Sequence, residues 1–296
     1  MLAIVIPYYK INFFEATLQS LANQTDKRFK VYISNDASPE SPISVLKRWD
    51  KKIEFIYHRF DENLGGISLS KHWERCISLT NDEKWLMILG DDDVLDSNVV
   101  KGFYDNLSEI KEKNVNVIRF GSQIINKDGN LVSDIYKHPR LEKATDSFWR
   151  KHTGKTRSSL SEYIFKKEVY LKVKFKNYPL AWHSDDQAWL EFSNFQCIYS
   201  INSSLIYIRE SNWSISGKRD NLEQKKQASL QFYNLLSDKY LSRFTKKQRL
   251  GIILISEKEF FDNKNFALFF KIFKWHLIKT DLFNLVKFIR RIYINA

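Results

Sequence analysis

The chain has 296 residues, 43% of them hydrophobic and 15% aromatic, enough to bury the core of one large α/β domain with an appendage. Its net charge of +12 is uneven: residues 1–216 carry 30 Lys/Arg against 28 Asp/Glu, whereas residues 217–296 carry 17 against 7. Cys76 and Cys197 stand at no metal-ligand spacing and read as small hydrophobes in a reducing compartment, and no stretch reaches the roughly 18 uncharged apolar residues of a membrane-spanning helix.

The N-terminus, MLAIVIPYY, has no basic lead and no small-residue cleavage site, and its apolar run stops at Pro7. It reads as a first strand over 2–7 and not as a signal peptide, which implies a cytoplasmic protein. Phe14, Leu18 and Leu21 then recur at helical spacing up to the polar NQTDKR turn. A second strand, 30–34, ends at Asn35-Asp36, and helix 43–50, strand 53–58 and a helix over about 67–79 follow. Residues 84–89 (KWLMIL) form a fourth strand that runs straight into Gly90-Asp91-Asp92-Asp93. A helix near 97–112 and a strand at 115–120 complete the alternation.

Strands and helices alternating at this spacing predict βαβ units and a mostly parallel sheet, whose ligands bind outside the carboxyl ends of the strands. Tyr8/Tyr9, Asn35/Asp36 and Asp91–Asp93 each stand just past such an end, so these polar clusters are expected on one edge of one sheet. From 122 to 165 the pattern loosens: KDGN at 127–130 predicts a hairpin turn, and 139–159 reads as a basic, polar, mobile segment. An acidic knot, WHSDDQ, follows at 182–187. After Arg209 the chain is predicted helical over roughly 220–238, 246–262, 266–279 and 282–293.

Successive carboxylates at a strand end raise one another's pKa and cost stability unless a cation or several donors sit there. The functional reading of Asp91–Asp93 is a site for Mg²⁺ or Mn²⁺, shared with phosphate oxygens and water. The structural one is an acidic loop in which Asp96 or Ser97 caps helix 97–112. Asp185 and Asp186 divide the same way, between a general base and the cap of a helix at 187–194. His183 beside them reads as packing, a metal ligand or an acceptor contact.

Taken in order, these segments resemble the family 2 glycosyltransferases of the GT-A fold over about residues 1–215. VIPYY is similar to the family's strand-end Pro-x-Tyr-Asn, which implies that Pro7 and Tyr9 flank the nucleotide base, with Lys10 in place of Asn. SLANQT (20–25) and VYISNDASPES (31–41) resemble its next segments; Asp36 matches the carboxylate that accepts from the base ring, and Asn35 replaces the first acid. ENLGG (62–66) resembles its Asn-x-Gly segment, whose following Arg-Asn pair appears here as Lys71-His72, which leaves Lys71 to serve a phosphate. GDDDVL (90–95) is similar to the Asp-x-Asp element: Asp93 matches the metal ligand, Asp91 and Asp92 the ribose and supporting positions, and Asp91 is the second candidate for the cation. SDDQAWL (184–190) looks like the Glu-Asp motif, with Asp185 for the Glu and Asp186 for the general base, although either acid is a candidate base. Arg209 opens YIRESNWSIS, where Trp213 would close over the donor and Lys218 or Arg219 reach its diphosphate.

The resemblance implies an α/β GT-A domain, Rossmann-like with a mostly parallel central sheet, over 1–215, and a basic, aromatic-rich helical extension over 216–296. It implies inverting, Mn²⁺- or Mg²⁺-dependent transfer of a sugar from a nucleotide-diphosphate sugar, UDP favoured, in surface polysaccharide biosynthesis. The acceptor would be a hydroxyl of a glycan or of a lipid-linked molecule. A nucleotidyltransferase would need a Gly-rich loop after the first strand, and PYYKINFFE has no glycine. A nucleic-acid-binding protein is disfavoured because the basic helices carry bulky apolar faces and no nucleic-acid motif. A non-catalytic sugar-nucleotide-binding relative would be expected to lack Asp93 or Asp186, and both are present.

In the last helix Leu282, Leu285, Val286, Ile289, Ile292 and Tyr293 share one face, with Asn284, Lys287 and Arg291 opposite. The helix before it mixes five aromatics with Lys271, Lys274 and Lys279, and Thr280-Asp281 can cap the last one. Two readings stand: a hairpin packed internally or against a second copy, and a peripheral contact with the anionic cytoplasmic face of the inner membrane.

Overall fold

In the computed structural model, which describes residues 1–211, 221–263, 266–280 and 282–294, the first strand β1 (Leu2–Tyr8) is buried almost throughout. A strand apolar on both faces belongs in the middle of a sheet covered on two sides. There follow α1 (Phe14–Ala22), β2 (Phe29–Asn35), α2 (Ile43–Trp49), β3 (Phe55–Arg59), α3 (Leu69–Ser78) and β4 (Trp85–Ile88). β1 pairs in parallel with β2 and β4, and β2 with β3. The register sets Tyr8 opposite Asn35 and Val5 opposite Ile88, so the carboxyl ends of three strands finish on one edge. The helices cover the faces with Phe14, Leu18 and Leu21 from α1 and Trp73 and Ile77 from α3, all buried.

The second half runs β5 (Val94–Leu95), α4 (Val99–Glu112), β6 (Val117–Ile125), β7 (Leu141–Lys143), α5 (Ala144–His152), β8 (Tyr163–Lys166), α6 (Lys167–Val173), α7 (Ser184–Phe192) and β9 (Cys197–Arg209). The sheet order is β3-β2-β1-β4-β8-β6-β9-β5, with β7 paired to β9. The strand expected at 115–120 is therefore longer and not a neighbour of β4, because β8 enters antiparallel between β4 and β6. The KDGN turn is present: Gly129 takes φ +85°, and the Asn126 side-chain oxygen accepts from the Asp128 and Asn130 amides at 2.9 and 3.0 Å.

Segment 139–159, expected to be mobile, is folded as β7 and α5. Its polar residues turn inward for a reason: Glu142 is buried between Arg119, which donates at 2.8 Å, and Arg150, which donates at 2.8 Å. A buried carboxylate held by guanidinium groups is satisfied, and one left without them would cost several kcal/mol.

The chain divides into two units, Met1–Asp220 and Asn221–Ala296. The second contains α8 (Leu222–Leu235), α9 (Lys246–Asn263), α10 (Phe266–Lys279) and α11 (Leu282–Ile294). Buried Glu257 on α9 accepts from His276 Nε2 at 2.6 Å and from Arg291 Nε and Nη2, each at 2.9 Å, which ties three helices together. This sets the rotation of α11. With Arg291 drawn inward, Leu285 and Phe288 are buried while Leu282, Val286, Ile289 and Tyr293 are exposed, so the apolar residues expected on one face are split between two. The Thr280 hydroxyl closes α10 by donating to the His276 carbonyl at 2.9 Å, and Asp281 lies outside the described residues. Among the described residues no helix is long and apolar enough to cross a membrane.

Candidate functional site at the sheet edge

The three polar clusters meet at the edge. Asp91 Oδ2 accepts from the Tyr9 and Lys10 amides, both at 2.8 Å, and the Asp36 amide donates to the Tyr8 carbonyl at 3.0 Å. Gln24 explains why the end of α1 matters to this edge. Its amide nitrogen donates to the Asp96 carbonyl at 2.8 Å and its oxygen accepts from the Val100 amide at 3.0 Å, capping α4. Thr17 donates to the Asp93 carbonyl at 2.8 Å. Neither Asp96 nor Ser97 is the residue at the N-cap of α4, which is Asn98, and the Asn98 side chain makes no capping bond of its own.

The three acids differ in what holds them. Asp91 is turned back to the loop after β1, whereas it was expected on the ribose or the cation. Asp93, 5% exposed, accepts from Ser161 Oγ on one oxygen and from the Arg209 amide, at 3.0 Å, on the other. Ser161 Oγ also accepts from the Gly90 amide at 3.0 Å. Asp92 is half-buried, and no hydrogen bond or ion pair to its carboxylate is found among the described residues. A Cβ on Gly90 would stand 3.0 Å from both Asp92 Oδ1 and Asp93 Oδ2. The missing side chain is what lets these two carboxylates converge over the turn.

Their convergence is electrostatically unfavourable. Burial raises all three pKa values, and Asp92, which also faces the charges of Asp93 and Asp91, is pushed up to about 8. The basic groups nearby are Lys10, Arg209 and, facing Asp93, Arg157; the Arg209 guanidinium donates to the Asp92 carbonyl at 3.0 Å and lies 4.5 Å over the Phe13 ring.

Asp36, the expected reader of the base, is turned to the loop over residues 62–66. Oδ1 accepts from the Leu64 amide at 2.9 Å and from Arg75, and Oδ2 from the Gly65 amide at 2.8 Å. The fit is close enough that a Cβ on Gly65 would come within 2.4 Å of Asp36 Oδ2. The cation here is Arg75, one turn beyond Lys71 on α3 and stacked 3.9 Å over Phe60; the Lys71 side chain is exposed. His72 accepts from Arg75 Nε at 3.1 Å, and burial pushes its pKa down to about 4. Pro7, opposite Ser34 in the sheet, is half-buried, and Tyr9 is 37% exposed at the open edge.

Asp185 and Asp186 lie in the first turn of α7, which begins at Ser184 and not at 187, with His183 at the N-cap. Acids there are favoured by the amide dipoles, but neither is the cap itself. Leu180, Ala181 and His183 all take left-handed backbone, with φ of 57°, 51° and 68°. Such conformations cost on the order of 1 kcal/mol or more each in non-glycine residues and persist where packing enforces them. Here they bring His183 Nδ1 to 2.8 Å from Asp186 Oδ2, while Lys151 Nζ from α5 donates to Oδ1 at 2.5 Å. Burial alone would raise Asp186, but Lys151 and His183 outweigh it and hold the carboxyl well below its ordinary range. Burial, and then the charge of Asp186, push Asp185 the other way.

Ser161, Arg75 and Lys151 are additions to the sequence reading. Arg75 had a signal, its place four residues after Lys71 on a helix; the other two had none. Trp213, Lys218 and Arg219 lie outside the described residues.

Residues 3–169 match the profile of glycosyl transferase family 2. An uncharacterized glycosyltransferase of Haemophilus influenzae is 24% identical over 225 residues, covering 70% of this chain and 64% of that protein. A crystal structure of S. aureus TarS 1-349 in complex with UDP aligns with a TM-score of 0.55 at 15% identity, covering 86% of this chain and 65% of that one. A complex with UDP-GlcNAc gives 0.59 at 14% identity, over 93% and 79%. The likeness to these structures is one of fold: a mostly parallel α/β sheet of the GT-A type. The chain spans less than two thirds of the length of the H. influenzae relative.

Proposed function

The chain belongs to glycosyl transferase family 2, and from that premise we propose that it transfers a sugar from a nucleotide-diphosphate sugar, a UDP-sugar in the first instance, to an acceptor hydroxyl. The observation that carries this reading is the carboxylate pair of Asp92 and Asp93, converging over a glycine at the edge where β1, β2 and β4 end. Buried like charges with little cationic compensation suit a divalent ion. Mg²⁺ or Mn²⁺ needs only one or two carboxylates, its other positions going to phosphate oxygens and water. Among the described residues no group of three or more His, Cys, Asp or Glu is arranged to hold a metal ion by itself. When bound, the cation would neutralise charge developing on the leaving diphosphate.

The protein's own groups would do the rest. Pro7 and the exposed Tyr9 would flank the base. Asp91 would fix the loop beneath it, Asp36 and Arg75 would hold the loop over residues 62–66, and Lys71 and Arg209 would add positive charge near the phosphates. The Asp185/Asp186 pair would receive the acceptor proton, in a single displacement that inverts the anomeric carbon. A panel of nucleotide sugars, assayed for nucleotide release with Mn²⁺ and with EDTA, tests this. Release that needs the metal and prefers one nucleotide is expected; binding of a nucleotide sugar without turnover under any condition would favour the non-catalytic alternative.

The proposal extends to setting: synthesis of a surface polysaccharide on a glycan or lipid-linked acceptor, with the enzyme held at the anionic cytoplasmic face of a membrane. Its support is the exposed stripe of α11, where Val286 is 55% and Tyr293 86% exposed beside exposed Lys287 and Arg290, in a region of net charge +10. Vesicles containing phosphatidylglycerol should bind the protein at low salt, and Val286→Glu with Ile289→Glu should abolish this. If the same pair of substitutions instead dissolves a dimer and wild type ignores the vesicles, a second copy covers the stripe.

A further inference from the structure

The connection from α5 to β8 brings a further cation to the edge where Asp92 and Asp93 lie. β8 runs antiparallel to β4, with Trp85 opposite Lys166 and Met87 opposite Ile164. Continued past the strand, the same alignment sets Ser161 beside Gly90, whose amide donates to Ser161 Oγ at 3.0 Å. Ser161 in turn donates to Asp93, and the next residue, Glu162, is wholly buried. A carboxylate buried there without partners would be costly. Arg157 answers it: Nη1 donates to Glu162 Oε1 at 2.8 Å, and the guanidinium carbon stands 6.0 Å from the centre of the Tyr136 ring. Arg119 and Lys151 face Glu162 as well, and the charge of Arg157 also faces Asp93.

Arg157 differs from the other guanidinium groups of this region in what it has left to give. Each guanidinium carries five N–H donors in a rigid fork. Arg209, 6% exposed, spends Nε on the Asp92 carbonyl and Nη1 on those of Asn126 and Lys127. Arg75 is committed to Asp36, the Glu62 carbonyl and His72, and Arg119 is buried against Ser147 and Glu142. The Arg157 side chain is 20% exposed, and its one hydrogen bond among the described residues goes to Glu162. Its Nε and Nη2 donors therefore stay open at a partly exposed position, on a cation whose orientation a buried carboxylate fixes in advance.

We infer that Arg157, held by buried Glu162, binds the terminal phosphate of the nucleoside diphosphate through its open Nε and Nη2 donors. The inference rests on the transferase reading above. The order of strands gives the direction: β1, β4 and β8 are successive neighbours. A ligand whose base lies at Tyr9, past the end of β1, and whose phosphates pass the acids after β4 reaches the start of β8 with its far end. A planar fork meets two oxygens of one phosphate, which the point charge of a lysine cannot do. Arg209 and Arg157 thus divide the work. Arg209 ties the turn of Asp92 to the turn at 126–130, and Arg157 meets the ligand. The rival reading is that Arg157 only neutralises Glu162.

The test is calorimetry of UDP and of UMP, both with Mn²⁺, with thermal unfolding measured alongside. It compares wild type with Arg157→Gln, Arg157→Lys and the double variant Arg157→Gln/Glu162→Gln. The double variant removes the buried pair together, so it stays informative if the single one unfolds. Arg157→Gln should lose about 10- to 100-fold in UDP affinity, the scale of hydrogen bonds to a charged group, with UMP affinity unchanged. Arg157→Lys should recover part of that loss, because it restores the charge without the fork. The double variant should regain thermal stability and still show the loss for UDP alone. A stable double variant that binds UDP as tightly as wild type would overturn the inference and leave the transferase reading intact. So would a loss shared equally by UDP and UMP. Failure of the wild-type protein to bind any of UDP, GDP and dTDP would defeat the transferase reading, and the inference with it.

Discussion

The two acidic clusters of the chain solve the same problem in opposite ways. At the sheet edge, Asp91 and Asp93 are held by backbone amides and a serine hydroxyl, Asp92 has no such partner among the described residues, Lys10, Arg157 and Arg209 are the basic groups nearby, and the pKa values of the three acids rise. In the first turn of α7 Asp186 carries its own countercharge in Lys151, and its pKa falls. A carboxylate cluster short of built-in cations is one that a diffusible cation can stabilise, whereas a pre-paired carboxylate leaves nothing for one to do. The same side chain thus serves as a metal-ligand candidate in one place and as a fixed anion in the other, and the difference lies in which partners the fold delivers.

That contrast can be broken from either half. The largest effect is expected at the sheet-edge cluster, the proposed donor side. Asp92→Asn with Asp93→Asn removes the charge a cation would neutralise, and should cut metal-dependent turnover by about three orders of magnitude while leaving thermal stability equal or higher. Stability is the sharper readout, since relief of buried like-charge repulsion predicts a gain where ordinary loss of hydrogen bonds predicts a fall. A variant both inactive and strongly destabilised would argue that the acids are structural.

Ser161→Ala comes next. Ser161 joins Asp93 to the Gly90 amide, so its loss should weaken Mn²⁺ affinity by about 10- to 100-fold, the usual scale for groups that orient a ligand. Metal titration followed by nucleotide release measures this, and unchanged affinity would remove Ser161 from the account.

The smallest effect concerns His72, the buried imidazole that accepts from Arg75. Its pKa in the folded chain is depressed from 6.5 to about 4, chiefly by burial. The unfolded chain therefore takes up a proton that the native one refuses, and stability present above about pH 6.5 should be lost as pH falls toward 4. Denaturant unfolding across that window should show a shallower pH slope in His72→Gln than in wild type. An identical slope would assign the acid sensitivity elsewhere.

How much of this was legible in the sequence follows from how far apart the partners are. Tyr9, Asp36 and Asp91–Asp93 could be set on one edge because strand ends are local signals, and the parallel pairing of β1, β2 and β4 does the rest. Their partners come from elsewhere in the chain. Lys151 lies 35 residues from Asp186, Ser161 lies 68 from Asp93, and the Arg209 amide lies 116 from it. No periodicity encodes such pairs. The basic run at 139–159 looked like solvent-facing loop because its inward partner, Arg119, sits at a strand position where sequence pattern expects an apolar residue. In α11 the apolar stripe was visible, but its direction was not, since it depends on Arg291 reaching Glu257, 34 residues earlier.

The central claim, that the donor half is built to be completed by a divalent cation, is tested most directly by calorimetry of UDP binding to the wild-type protein with Mn²⁺ and with EDTA. The account predicts binding at least tenfold tighter with the metal, an advantage that disappears in Asp92→Asn. Equal UDP affinity in both conditions, together with full activity in EDTA, would contradict it.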